Sequence, residues 1–191
     1  MMRCAFIIQL PYVLDRVIAG VKKCNYGGKM DIYEITHERK RFIRKCFFQW
    51  SFGKSDDYLP GKEDFDKLNH PAELHYLAEI YNWDDGGIVL EWILDSSLCS
   101  KSTANLIFWQ SLPSYFEESD FNDQLTCPKY CDVGFLLIKK ILDMYDNNDF
   151  SPIDIKFSPH KVKEKVRRKN PHWNVPKGIS SSIDGLKIKV L

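Results

Sequence analysis

The chain has 191 residues, which suffice for one hydrophobic core but are few for two domains of ordinary size, so we expect a single domain over 1–191. Hydrophobic residues make up 44% and charged residues 28%, a globular composition that excludes disorder over most of the length. The 27 basic and 26 acidic side chains leave a formal net charge of +1, which excludes global steering toward nucleic acid or an anionic membrane.

The N-terminal residues predict neither a signal peptide nor a membrane anchor. The apolar start meets Gln9, Pro11 and Asp15 too soon for a signal sequence, and no segment approaches the roughly 20 apolar residues that span a bilayer. We therefore expect a cytoplasmic protein. There the cysteines would stay reduced, and their scattered positions do not form a disulfide framework. They are Cys4, Cys24, Cys46, Cys99, Cys127 and Cys131.

Residues 1–55 predict a mixed α/β part. Apolar residues recur at helical spacing from Leu10 to Val21, behind Pro11 in a suitable first turn. Two groups of β-branched and aromatic residues then predict a short hairpin, with a charged helical or loop stretch at 38–45 between them. The groups are Ile32, Tyr33 and Ile35, and Cys46, Phe47, Phe48 and Trp50.

A loop at 53–69 leads to the predicted helical core, residues 70–148. Pro71 suits the first turn of a helix, and the polar run 82–86 turns the chain after it. The apolar face of this helix holds Leu74, Leu77, Ala78 and Tyr81. The pattern predicts that the helix packs on the others by this face.

A second helix is predicted directly after the turn, with Val89, Trp92 and Ile93 facing inward. Asp84 and Asp85 precede it, where a carboxylate caps free N–H groups and complements the helix dipole. Helix capping is therefore the role we predict for both aspartates.

Two further helices complete the predicted core. Ser102 is placed to cap the third helix, which Pro113 ends. Its apolar face consists of Ala104, Ile107 and Phe108. The fourth helix runs from about 129 to 145 and carries an apolar stripe. The stripe consists of Val133, Leu137, Ile141 and Met144.

The C-terminal part, residues 158–191, predicts a basic helix and a tail. Ser158 and Pro159 begin the helix, whose apolar residues are Val162 and Val166. From 186 to 190 apolar residues alternate with lysines, as in an edge strand. The whole pattern predicts a mainly α fold, a compact bundle of stacked helical hairpins with a minor β component near the N-terminus and the C-terminus.

The motif YNWDDG at 81–86, followed by TANLIF at 103–108, carries a resemblance. It is similar to the signature of a short bacterial domain family of unknown function, and the resemblance covers residues 71–112. Some members sit beside toxin and immunity modules, so the resemblance implies an immunity role and assigns no catalytic residue. The chain departs from the usual pattern at Gly87, and its long flanks are not explained by the family.

No metal site is expected. Cys127 and Cys131 lack the second, closely spaced ligand pair that a structural zinc needs. His70 and His75 lie five residues apart, whereas two imidazoles on one helical face need i, i+4 spacing.

No enzyme and no cofactor are expected either, because the sequence has no nucleophile elbow, phosphate-binding Gly-rich loop or dinucleotide fingerprint. Active sites assembled from distant residues would escape such a search. One enzymatic alternative therefore stays open, a hydrolase in which Asp84, Asp85 and His75 converge in one pocket.

A second alternative is a nucleic-acid-binding accessory protein that uses the basic segment 161–173. Cations beside an aromatic ring can hold phosphates and stack a base. The candidate residues are Lys161, Lys165, Arg167, Arg168, Lys169 and Trp173. A solvated helix face explains the same segment without function, because acidic loops elsewhere balance its charge.

The leading hypothesis rests on the acidic, aromatic segment after Pro113. Exposed aromatic anchors and negative charge suit a basic protein partner, because charge complementarity speeds encounter and rejects wrong partners. We therefore predict a cytosolic bacterial immunity or antitoxin-type protein that neutralises a partner toxin by direct binding, without catalysis. Its predicted partner-binding residues are Tyr115, Phe116, Glu117, Glu118, Asp120 and Phe121.

Overall fold

The computed structural model describes residues 31–48, 60–116, 132–166 and 174–191, with side chains up to 162 in the third range. These residues are mainly helical, with one two-stranded sheet, so the predicted fold class is confirmed. The strands are β1 (Ile32–Ile35) and β2 (Lys187–Val190). The helices are α1 (His37–Ile43), α2 (Lys62–Phe65), α3 (Pro71–Ile80), α4 (Ile88–Asp95), α5 (Lys101–Gln110), α6 (Val133–Asn147), α7 (Pro159–Val166) and α8 (Lys177–Ser180).

None of the helices in these four ranges is both long and apolar enough to cross a membrane. The helix predicted between Leu10 and Val21 lies outside the described residues.

The sheet joins the two ends of the described chain. β1 pairs in parallel with β2, so that Ile32 lies opposite Lys187 and Ile35 opposite Val190. The strand predicted near the C-terminus is therefore confirmed, and its partner is the first strand of the predicted hairpin.

The hairpin itself is wrong, because the described residues of its second strand, 46–48, are helical. α1 continues into a π-helical turn at Arg44–Phe48. Phe47 is fully buried there and meets the rings of Phe42 and Phe65 edge to face, at 6.5 and 6.4 Å between centroids. The aromatic residues that suit a strand are thus buried just as well from a helix.

α3 and α5 form the centre of the helical core and contact each other. Residues 71–78 of α3 and 102–109 of α5 are all buried. A helix that is buried on every side must pack against neighbouring elements on all of its faces, and not only along one apolar stripe. For α5 this cover comes from α3, α6, α7 and α8.

The start of α5 corrects one capping prediction. Its N-cap is Ser100, whose Oγ accepts a hydrogen bond from the backbone N–H of Thr103 at 3.2 Å. Ser102, the predicted cap, lies inside the helix and donates instead to the carbonyl of Ile155. Two serines two residues apart both suit a cap, and the backbone direction decides between them.

The start of α4 corrects the other capping prediction. Asp84 and Asp85 belong to a separate 3-10 turn, Trp83–Asp85, and the N-cap position of α4 is Gly87. The extra turn moves the helix start past both carboxylates. The cap of the 3-10 turn is Asn82, whose side-chain oxygen accepts from the N–H of Asp84 at 3.4 Å.

α6 confirms the longer helix of the core, with a later start. Asp132 caps it by accepting hydrogen bonds from the N–H groups of Gly134 and Phe135, at 2.7 and 3.3 Å. Of the predicted stripe, Leu137, Ile141 and Met144 are buried and Val133 is partly buried. The first turn of this helix carries part of the candidate site.

Candidate functional site

Tyr115 and Phe116 are the members of the predicted partner-binding set that the structure describes, and Tyr115 is exposed, with 67% of its surface accessible. It ends a 3-10 turn, Pro113–Tyr115, and its N–H donates to the carbonyl of Leu112 at 2.9 Å. Leu112 has the left-handed conformation, with φ 65°, and Pro113 is buried. The corner therefore holds the backbone of Tyr115 in a fixed direction, with its ring outward.

Phe116 is not exposed, contrary to the prediction. Only 5% of its surface is accessible, and its ring meets that of Phe135 in α6 at 5.5 Å between centroids. The backbone at Phe116 is extended, and successive side chains of an extended chain point to opposite sides. Phe116 thus anchors the corner that presents Tyr115. The other members of the set, Glu117, Glu118, Asp120 and Phe121, lie outside the described residues.

Two further exposed apolar residues lie at the same end of α6. Ile88, the first residue of α4, is 40% exposed, and Leu136, in the first turn of α6, is 45% exposed. The two helices touch where Gly87 meets Val133, so closely that a side chain at position 87 would collide with the valine. Ile88 and Leu136 therefore flank a tight helix contact.

Two exposed carboxylates lie close in the sequence to Ile88 and Leu136. Asp84 lies in the 3-10 turn before α4, and Asp132 caps α6. Ile88, Tyr115 and Leu136, together with Asp84 and Asp132, are named the Tyr115 surface below. It combines apolar side chains with negative charge, a composition that suits a basic protein partner.

The structure assigns His75 and the two aspartates to different surroundings. His75 lies in α3, with Nδ1 3.1 Å from Thr103 Oγ1 and its ring edge-on to that of Phe157. From His75 to the end of α3 the helix rises about 7.5 Å, and Asp84 and Asp85 follow beyond that end. Asp84 is exposed, and Asp85 accepts from the Asn82 side-chain amide at 3.1 Å. This arrangement does not support the shared pocket of the hydrolase alternative.

Burial of His75 predicts a loss of stability in acid. Burial lowers its pKa to about 4, whereas an unfolded histidine titrates near 6.5. Between these values the unfolded state binds more protons, so stability falls as the pH is lowered from about 6.5 to about 4. The expected loss is about 3 kcal/mol, measured by urea unfolding at intervals across this range.

The control for this prediction compares slopes rather than absolute stabilities. His75→Gln should flatten the pH dependence between about 6.5 and 4, and His37→Gln, at an exposed position, should leave it unchanged. An equally steep slope in His75→Gln would show that another group causes the acid instability.

The remaining candidates have structural surroundings or lie outside the described ranges. His70 caps α3, with Nδ1 accepting from the N–H of Ala72 at 3.1 Å, and its ring stacks on Tyr33 at 3.7 Å. Within the ranges that the structure describes, no three His, Cys, Asp or Glu side chains are grouped as a metal site needs. Cys127 and Cys131 lie outside those ranges.

The basic segment is described only at its start. Lys161 is exposed on α7. The side chain of Lys165, and all of Arg167, Arg168, Lys169 and Trp173, lie outside the described part of the chain.

Tyr81, predicted on the apolar face of a helix, and the predicted turn at 82–86 bury polar groups that sequence reasoning missed. The hydroxyl of Tyr81 and the indole N–H of Trp83 are both buried, and neither has a hydrogen-bond partner in the described residues. Burial, together with the nearby Asp85 carboxylate, raises the pKa of Tyr81. The signal in the sequence is slight, because Tyr81 also fits the apolar face of α3.

Residues 69–146 match a family described as a domain of unknown function, DUF4274. The expected likeness to such a family is thus confirmed, over a longer stretch than 71–112. The match runs from the start of α3 almost to the end of α6, so it contains both the Tyr115 surface and the buried polar groups of 81–86. Neither the curated proteins nor the solved structures include a significant match to the chain.

Proposed function

We propose that the protein is a cytosolic bacterial immunity or antitoxin-type protein, which binds a basic partner protein by the Tyr115 surface and blocks it by occlusion. The observation that supports this proposal is Tyr115 itself, 67% exposed at a corner with fixed backbone. A tyrosine ring offers a large contact area and loses little conformational entropy on binding, so tyrosines are frequent anchors of interfaces.

The apolar neighbours of Tyr115 support a protein partner rather than a small ligand. Ile88 and Leu136 add exposed apolar area on two helices that are firmly packed against each other. Exposed apolar patches with a polar border mark protein interaction sites, and pre-organised backbone lowers the entropy cost of binding.

The charges favour a basic partner. Asp84 and Asp132 are exposed and each precedes one of the apolar residues by four positions, and the acidic residues Glu117, Glu118 and Asp120 follow Tyr115 closely in the sequence. A toxin that cleaves nucleic acid binds its anionic substrate in a basic groove, and an acidic inhibitor can occupy that groove. Binding of this kind needs neither catalysis nor a cofactor.

Affinity capture of the tagged full-length chain from its host tests the proposal. We expect a stoichiometric basic protein that stays bound after nuclease treatment. Recovery of nucleic-acid-associated proteins that disappear after nuclease treatment would contradict the proposal and favour the basic segment 161–173.

Tyr115→Ala should weaken binding of this captured partner by about 30-fold, the usual effect of removing a central aromatic anchor. Its free energy of unfolding should stay the same, because the ring is mostly exposed. Ile32→Ala is the matched control, since Ile32 is 57% exposed on β1. If Ile32→Ala weakens binding as much as Tyr115→Ala does, the partner does not bind specifically at the Tyr115 surface.

The charge part of the proposal has its own test in the association rate. Changing Glu117, Glu118 and Asp120 to Lys should slow association and reduce its dependence on salt. An unchanged affinity for the partner would exclude this acidic segment from the interface.

A further inference from the structure

Two hydrogen-bond donors are buried without a partner in the described residues at the end of α3. They are the hydroxyl of Tyr81, a residue with 5% of its surface exposed, and the indole N–H of Trp83. Buried polar groups are nearly always hydrogen-bonded, because an unsatisfied one carries the full cost of desolvation. The same fold does satisfy the indole N–H of Trp109, which donates to the carbonyl of Ile179 at 3.1 Å.

The backbone directs the two donors to one side. Tyr81 and Asn82 are both extended, with ψ 136° and 114°, and side chains two residues apart on an extended chain point the same way. Trp83 and Asp85 are only partly buried, so these groups lie just below the surface.

Asp85 adds an acceptor to the two donors. Its Oδ1 accepts from Asn82 Nδ2 at 3.1 Å, and its carboxylate acts electrostatically on the Tyr81 hydroxyl. A carboxylate has about four acceptor positions, so Asp85 can accept another N–H. The three side chains together offer two donors and one acceptor.

We propose that Tyr81, Trp83 and Asp85 form a binding site for one uncharged amide group. The carbonyl oxygen accepts from Tyr81 and Trp83, and the amide N–H donates to Asp85. An anion would be repelled by Asp85, and an ammonium group offers no acceptor to Trp83. The amide can come from an Asn or Gln side chain or from a peptide bond. This site goes beyond the proposed function and does not depend on it.

Nuclear magnetic resonance of the full-length chain with 15N-labelled tryptophan tests the site. Acetamide represents the side-chain amide and N-methylacetamide the peptide bond. Either probe should shift the indole N–H signal of Trp83 saturably at millimolar concentrations. The signal of Trp109 should not move, because its donor is already bonded to Ile179. Trp83→Phe identifies the signal, and the tighter of the two probes indicates the source of the amide.

Tyr81→Phe separates binding from folding. It should weaken binding of the tighter probe by about fivefold, the effect of one neutral hydrogen bond. It should not lower the urea midpoint of unfolding, since the hydroxyl has no partner in the described protein.

Four results would each overturn the proposal. They are a Trp83 signal that responds to neither amide, a response to acetate as strong as that to acetamide, equal binding by Tyr81→Phe, and a bound water only. The last would be seen as a water contact at the Trp83 N–H that neither amide displaces.

Discussion

A chain that ends at Asn148 should not fold cooperatively, although it contains all of the family match at 69–146. Residues 149–191, which this truncation removes, cover the central helix α5 and contribute buried apolar side chains to the core. These are Ile155, Phe157, Val162 and Ile179. Burial of a large apolar side chain contributes about 1.5–3 kcal/mol, so their loss costs about 6–12 kcal/mol. That is comparable with the whole stability of a domain, about 5–15 kcal/mol.

The same truncation would leave polar groups of α5 unsatisfied. Side chains along this helix donate hydrogen bonds to backbone carbonyls of residues 149–191. The donors are Ser102, Asn105 and Trp109, and the acceptors are the carbonyls of Ile155, Gly178 and Ile179. Each buried donor that loses its acceptor adds about 1–3 kcal/mol to the cost. Solvent entering the opened face would offset part of this.

A truncation after Ile183 is the matched control. It keeps these side chains and carbonyls and removes β2, whose residues are half-buried or exposed. Circular dichroism and urea unfolding should show a helical, cooperative protein of lower stability for this control, and no cooperative transition for the chain that ends at Asn148. A cooperative transition in the shorter chain would show that the family match folds without residues 149–191.

The core helices could be predicted because their patterns are local. The apolar spacing at 71–81, 88–95 and 133–144 places α3, α4 and α6 within a few residues of their observed bounds. The caps were harder to predict. Ser100 and Ser102 have the same chemistry, and only the path of the backbone before α5 distinguishes them.

The sheet could be predicted only in part, because its pairing is not local. The alternation at 186–190 predicts β2, but nothing in either strand identifies a partner at the other end of the chain. Because the sequence does not identify this distant partner, it predicts that β1 pairs with the nearest segment of high strand propensity, which contains the aromatic residues at 46–48. Strand propensity depends strongly on context, and these residues pack from a helix instead.

At the candidate site, the sequence predicted the exposed Tyr115 but not its neighbours. Proline and acidic residues around Tyr115 mark a surface corner, whereas Ile88 and Leu136 resemble ordinary core residues. Their exposure depends on the angle at which α4 and α6 meet, which is a property of the tertiary structure. The buried donors of Tyr81 and Trp83 were missed for a similar reason, since burial of a single atom cannot be read from a pattern.

Arg39→Met should destabilise the protein by about 3–5 kcal/mol, the usual cost of removing one partner from a buried ion pair. The guanidinium of Arg39 donates to both carboxylate oxygens of Glu73, at 2.6 and 2.8 Å. The side chain of Glu73 is only 1% exposed, against 30% for Arg39. Without the arginine, the donor that remains to the buried Glu73 carboxylate among the described residues is the backbone N–H of Asn69, at 3.1 Å.

The unequal burial predicts unequal effects within the pair. Glu73→Leu should cost less, about 2 kcal/mol, because the freed Arg39 is partly exposed and still donates to the carbonyl of Lys67 at 3.0 Å. The double variant should recover most of the loss, since two apolar side chains can replace a buried pair. Urea unfolding of all four proteins gives the coupling energy.

The exposed pair between Lys189 and Glu34 is the control for this cycle. Its atoms are as close, at 2.7 Å, but both side chains are more than half exposed, so Lys189→Met should cost less than about 1 kcal/mol. If Arg39→Met lowers the free energy of unfolding no more than Lys189→Met does, the buried carboxylate of Glu73 is not stabilised by Arg39. A large coupling energy between Arg39 and Glu73 would also show that two segments of the chain unfold together. Because Glu73 lies inside the family match and Arg39 outside it, the coupling would make residues 31–48 part of the same cooperative unit.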